Sequence, residues 1–178
     1  LSQYANTPSL FIQVINDNVL AITSSNSAQI YQGLLTPEQV KLVNAAKQAQ
    51  VGAYAPYSQF TVGAAVLLRD NVMMAGSNQE NAAYPSGLCA ERVALFYAMA
   101  ANPDATVKAV AVYAGNAKFP LQSPISPCGA CRQCIIEYEL RQKAPIEIIL
   151  AADVDDIVII PSAKFLLPLH FEESRLKK

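Results

Sequence analysis

Cys89-Ala-Glu-Arg-Val-Ala-Leu-Phe-Tyr-Ala-Met-Ala-Ala101, Val107-Lys-Ala-Val-Ala-Val-Tyr-Ala114, Cys128-Gly-Ala-Cys-Arg-Gln-Cys134 running on to Gln142, and Ile146-Glu-Ile-Ile-Leu-Ala151 together decide the architecture. The first block is rich in Ala and Leu, has no breaker inside and ends at Asn102-Pro103, so it reads as a buried helix. The second reads as a strand. Pro127 announces another helix over 128–142, and 146–151 is a further strand. Helix and strand in alternation imply parallel neighbours and helices on both faces of a sheet.

Outward from this block, Thr36, Pro37 and Gln39 form a helix start, with Thr as N-cap, Pro in the first helical position and Gln completing a capping box. Val40, Val43, Ala46 and Lys47 follow at helical spacing, and Gly52 is the expected stop. Phe60–Leu68 reads as a buried strand, Asp70-Asn71 as a turn and 72–75 as the partner strand. A short strand over Ile157–Ile160 and a short helix over 162–167 complete the pattern. The N-terminal stretches 10–15 and 19–23 flank Asn16-Asp-Asn18 as a possible hairpin, and 24–27 reads as a linker. The expected fold is α/β, a three-layer α/β/α sandwich around a mixed sheet of about five strands. It occupies residues 34–178, with 1–33 as an N-terminal extension.

Composition narrows the function. The 178 residues are 52% hydrophobic and 15% charged, with a formal net charge of -1. Lys and Arg are scattered, and the only basic run is Arg175, Lys177 and Lys178 at the tail, so a small molecule is expected as substrate and nucleic acid is not. The longest apolar runs, Ala64–Leu68 and Ile157–Ile160, are too short for a membrane span. No charged-then-apolar leader is visible, and a cytoplasmic location is expected.

Three of the four cysteines, Cys128, Cys131 and Cys134, lie within seven residues, too cramped for a disulfide framework. A Cys-x-x-Cys alone is shared by redox dithiols and structural zinc sites. Its placement adds information, because Cys89 and Cys128 both fall at expected helix starts, where free N–H groups and the helix dipole favour thiolates. Three thiolates around Zn²⁺ carry a net charge of about -1, and the two helix dipoles offset part of it. Arg92 is a candidate donor to a ligand sulfur. The single histidine, His170, lies in the tail, so proton transfer falls to a carboxylate, and Glu91 is the one tied to the metal motif. Two alternatives share these residues. A closed site with Cys134 as fourth ligand would leave no open position and would not explain Glu91. A redox dithiol at Cys128 and Cys131 would make Cys89-Ala-Glu91 a coincidence.

The chain resembles the cytidine deaminases of the compact, homotetrameric class. The resemblance is carried by Tyr57-Ser-Gln-Phe-Thr-Val-Gly-Ala-Ala65, Asn78-Gln-Glu-Asn-Ala-Ala-Tyr84, Cys89-Ala-Glu-Arg92 and Ser126-Pro-Cys-Gly-Ala-Cys-Arg-Gln133, in the family's order over about residues 36–171. Cys89 replaces the His of many relatives. The resemblance implies zinc held by Cys89, Cys128 and Cys131, with Glu91 accepting a proton from water and delivering protons to the pyrimidine and its departing amine. It implies that Asn78 and Glu80 bind ribose hydroxyls, that Phe60 packs on the pyrimidine, and that backbone near Ala90 and Ser126 meets the base edge. It also implies that Phe171 reaches a neighbouring subunit's site in a homotetramer with shared active sites. Leu169 and His170 depart from the small residues common there, and relatives usually begin near Thr36. The implied substrates are cytidine and deoxycytidine. A deaminase of a nucleoside antibiotic such as blasticidin is a second enzymatic reading, and a zinc-stabilised binding module without catalysis is a third.

Overall fold

The computed structural model describes residues 20–22, 35–116, 120–154, 157–167, 169–172 and 176. The expected strand at 10–15, the turn at 16–18, the linker at 24–27 and the basic run Arg175, Lys177 and Lys178 lie outside them.

Helix α1 is Pro37–Gln50. Thr36 caps it reciprocally: Gln39 N donates to Thr36 Oγ1 at 3.2 Å, and Thr36 N donates to Gln39 Oε1 at 2.9 Å. Strands β2, Phe60–Leu68, and β3, Met73–Ser77, form a hairpin turned at Asn71, whose φ of 67° is left-handed. Helix α2 is Ala90–Ala101, β4 is Val107–Asn116, α3 is Gly129–Gln142, β5 is Glu147–Ala152 and β6 is Ile157–Ile160. The expected short helix over 162–167 is a single 3₁₀ turn, Ala163–Phe165, capped by Ser162. The five expected strands are all present, and Leu20–Ile22, β1, adds a sixth by pairing antiparallel with β6.

The sheet order is β1-β6-β5-β4-β2-β3. Both faces are buried, and the side chains sort by parity. Val62, Ala64, Val66, Val110, Val112, Ile148 and Leu150 pack with Ala94 and Leu95 of α2 and Ile135 and Ile136 of α3. Ala65, Leu67, Ala109, Ala111, Ile149 and Ala151 pack with Leu42, Val43 and Ala46 of α1 on the other face. This is the three-layer sandwich. Two glycines let helices sit close: a Cβ at Gly63 would lie 1.9 Å from Ala46 O of α1, and one at Gly76 would lie 2.8 Å from Ala94 N of α2.

The topology positions the site. β3 and β4 both flank β2 antiparallel and are therefore parallel to each other, while β4 and β5 are parallel neighbours. Helix α2 follows β3, α3 follows β4, and both pack on the same face. Their N-termini therefore emerge at the same end of the sheet, beyond the carboxyl ends of β3 and β4.

Candidate metal centre and active site

Cys89 is the N-cap of α2 and Cys128 the N-cap of α3, each with extended backbone, and Cys131 sits in the first turn of α3. The two helix starts bring three sulfurs together. Cys89 Sγ is 3.8 Å from Cys128 Sγ, Cys128 Sγ is 3.5 Å from Cys131 Sγ, and all three lie within 4.8 Å of one another. Sulfurs sharing one tetrahedral zinc at ordinary bond lengths stand about 3.8 Å apart. Soft thiolate donors at this spacing fit zinc, with three protein ligands and room for a fourth. Cys134 is not part of the cluster. It lies one turn along α3, half-buried, and desolvation pushes its thiol up.

The electrostatics favour thiolate at the entrance to the cluster. The Cys89 thiol is drawn down to about 5, first by the hydrogen bond from Cys131, and also by Arg92 and Cys128, against the cost of burial. The Cys131 thiol is pushed up, first because it donates that bond and then by burial. Arg92 Nη2 lies 3.9 Å from Cys89 Sγ. Its Nε is buried and has no hydrogen-bond partner among the described residues, so the guanidinium keeps a further donor uncommitted. Glu91 follows on the first turn of α2 and is only 5% exposed. Burial pushes its carboxyl up, its own backbone N–H opposes this, and the neighbouring Cys89 thiolate adds to the rise.

A cleft of about 560 Å³ brings Asn78, Glu80, Cys89 and Arg92 together, with Tyr57, Ser58 and Tyr84 among its other walls. Asn78 Oδ1 accepts from Val62 N at 2.8 Å, and its Nδ2 donates to Phe60 O at 2.9 Å. The amide thus pins the start of β2 and keeps a second N–H and a second lone pair for a ligand. Glu80 Oε2 accepts from Tyr57 N at 2.9 Å and Ser58 N at 3.3 Å, and Oε1 accepts from Ser58 Oγ. These bonds, led by that of Ser58, hold its carboxyl below the usual range.

The other substrate-contact residues expected from the sequence, and His170, are not among its walls. Phe60 is half-buried at the start of β2 against the core. Ala90 is fully buried as the first residue of α2. Ser126 is exposed in the loop before Cys128. Phe171 is 59% exposed, with its backbone held by Gln133 of α3 through bonds of 2.9 and 3.4 Å. His170 is half-buried, Nδ1 against Leu167 O at 3.1 Å.

Sequence reasoning missed three supports. Ser58 and Tyr57 hold Glu80. Arg132 donates to Pro127 O at 2.7 Å and Leu166 O at 3.0 Å, bracing the loop that carries Cys128 against the C-terminal segment. Glu139, 3% exposed, accepts from Ile146 N, Ala163 N and Ser162 Oγ and ties the far end of α3 to the same segment. The position of Arg132 directly after Cys131 was the only local signal for any of them.

Sheet order, paired helix starts and a three-thiolate cluster define an α/β protein with a zinc centre at the carboxyl end of its sheet. The chain belongs to the cytidine and deoxycytidylate deaminase zinc-binding family, whose model matches residues 37–144. It is 46% identical over 98 residues to the cytidine deaminase of Sporosarcina psychrophila, covering 55% of this chain and 68% of that one. It is 47% identical over 96 residues to that of Halalkalibacterium halodurans, covering 54% and 68%. Among solved structures, the cytidine deaminase from Burkholderia pseudomallei superposes with a TM-score of 0.66 at 42% identity, over 77% of this chain and 100% of that one. Among the described residues no helix is long and apolar enough to cross a membrane.

Proposed function

We infer that this chain is a zinc-dependent cytidine deaminase. It hydrolyses the exocyclic amine of cytidine and deoxycytidine to give uridine or deoxyuridine and ammonia, the chemistry of pyrimidine salvage. The observation that carries this reading is a buried carboxylate, Glu91, two residues from Cys89 in a three-sulfur cluster, with Cys89 itself lining the cleft, in a chain of this family.

Zinc held by Cys89, Cys128 and Cys131 would supply a Lewis acid that makes water nucleophilic at neutral pH. Arg92 offsets the charge of the sulfurs. Glu91 takes a proton from the attacking water. As the water oxygen bonds to carbon 4 of the ring, Glu91 protonates ring nitrogen 3. It then takes the remaining proton from the hydroxyl on carbon 4 and passes it to the amine as the carbon–nitrogen bond breaks, so nitrogen leaves as ammonia and carbon 4 keeps the oxygen as a carbonyl. Burial shields Glu91 from bulk water, so its proton goes to substrate. Glu80 and the free N–H of Asn78 meet the ribose hydroxyls, chiefly the 3′-hydroxyl. Phe60 packs on the pyrimidine, and backbone at Ala90 and Ser126 meets the base edge. A carboxylate at the 3′ position disfavours a continuing phosphate, which argues against a polynucleotide substrate. The exposed rings of Phe96, Tyr97 and Phe171 support assembly into a homotetramer in which Phe171 reaches a neighbour's site.

The test is a direct assay following loss of ultraviolet absorbance with cytidine, deoxycytidine, cytosine and blasticidin. Turnover of the two nucleosides, and not of the free base or the antibiotic, is expected. Glu91→Gln is expected to retain zinc and lose about three orders of magnitude in kcat. Near-normal turnover by that variant removes Glu91 from the chemistry.

A further inference from the structure

We propose that Ser58 is a positioning residue for substrate recognition, fixing the orientation of the Glu80 carboxylate that the ribose 3′-hydroxyl must meet. This rests on the reading of Glu80 given above and adds the group that makes Glu80 selective.

The argument starts from a single proton. A serine hydroxyl has one O–H and two lone pairs. Phe60 N donates to Ser58 Oγ at 3.0 Å, and a backbone N–H is only ever a donor. The hydroxyl proton of Ser58 is therefore free to go to Glu80 Oε1, the acceptor within reach. The backbone enforces this arrangement. Gln59, between the two residues, has a left-handed φ of 56°, and its N–H is tied to Ala55 O at 3.0 Å. That turn folds the Phe60 N–H back onto Ser58 Oγ, the geometry of a Ser/Thr turn.

The two carboxylate oxygens of Glu80 are then unequal. Oε2 takes the backbone N–H groups of Tyr57 and Ser58, which fix where the carboxylate is. Among the described residues, Oε1 takes only the Ser58 hydroxyl, which fixes its rotation and leaves lone-pair capacity for one more donor. Charge-assisted bonds of this kind are about twice as strong as neutral ones. Phe60, whose N–H the hydroxyl holds, also has its carbonyl held by Asn78 Nδ2. Glu80, Ser58 and Asn78 are thus tied together through hydrogen bonds and the backbone of Phe60. Ser58 supplies the only side-chain hydroxyl among them and makes no claim on the zinc cluster.

The experiment compares kcat/KM for cytidine and for 3′-deoxycytidine in the native enzyme, Ser58→Ala, Ser58→Thr and Glu80→Gln. Ser58→Ala is expected to raise KM for cytidine about tenfold with kcat nearly unchanged, and to leave 3′-deoxycytidine little affected, because that substrate lacks the hydroxyl which reads the carboxylate. The preference for cytidine over 3′-deoxycytidine thus falls about tenfold. Ser58→Thr, which keeps the hydroxyl, restores it. Equal loss on both substrates, or no loss on either, overturns the positioning role. If Glu80→Gln leaves the preference unchanged, the assignment of Glu80 to the 3′-hydroxyl fails and the role of Ser58 fails with it. If Glu80→Gln removes the preference while Ser58→Ala keeps it, the role of Ser58 alone fails.

Discussion

At the scale of single residues, the four cysteines differ by position and not by chemistry. Cys89, Cys128 and Cys131 sit at two helix starts and converge to sulfur distances of 3.5 and 3.8 Å. Cys134, one turn further along α3, is not part of that cluster. Removing Cys128 should therefore release zinc, and removing Cys134 should not. Metal content by atomic emission is expected near one zinc per chain for Cys134→Ala and near zero for Cys128→Ala. Equal loss in both would return Cys134 to the ligand set. Cys-x-x-Cys announced a metal on its spacing, whereas Cys89 and Glu91 became parts of the same site only when the two segments were read together.

At the scale of elements, the helices are placed by how closely they approach the sheet. Gly63 on β2 lies under α1 with no room for a Cβ, the nearest obstacles being Ala46 O at 1.9 Å and Gln50 N at 2.5 Å. Both are backbone atoms, so no side-chain rotation relieves the clash, and α1 as a whole must move. Gly63→Ala is expected to destabilise the fold by about 3 kcal/mol, read as a lowered urea midpoint. An unchanged midpoint would mean that α1 is free to slide. The capping box at Thr36 and the buried runs of β2, β4 and β5 were legible in the chain because cap chemistry and hydrophobic runs are local. The short helix expected over 162–167 is one 3₁₀ turn whose start is anchored on Glu139 of α3 through Ala163 N and Ser162 Oγ, a contact between distant segments.

At the scale of the molecule, two crossovers on one face carry α2 and α3 to the same end of the sheet, and the cleft opens there. Helix α2 exposes Phe96 and Tyr97, and Phe171 is held beside α3 with its ring in solvent. Covered in an assembly, these rings would leave water, each at a gain of about 2 kcal/mol. Light scattering is expected to return the mass of four chains. Phe171→Ala is expected to weaken that assembly and lower activity together, and a stable, fully active monomer would contradict shared sites. A strand order of β1-β6-β5-β4-β2-β3 was not readable, because alternation of helix and strand fixes which strands are parallel and not which ones touch. The strand expected at 19–23 is β1, but its pairing with β6 was not readable, since partners more than a hundred residues apart leave no local pattern.

The chain alone, without coordinates, carries the caps, the buried runs, the metal motif and the ordered blocks that mark the family. Each of these is set by residues near one another in sequence, or by their recurrence in a fixed order. Tertiary structure decided the rest: that β1 joins the sheet beside β6, that Arg132 braces the loop of Cys128 against Leu166, and that Ser58 and Tyr57 grip Glu80 from 22 and 23 residues away. Those contacts depend on where two crossovers and a hairpin bring the backbone, and directional bonds between residues far apart in the chain leave no period or spacing to read.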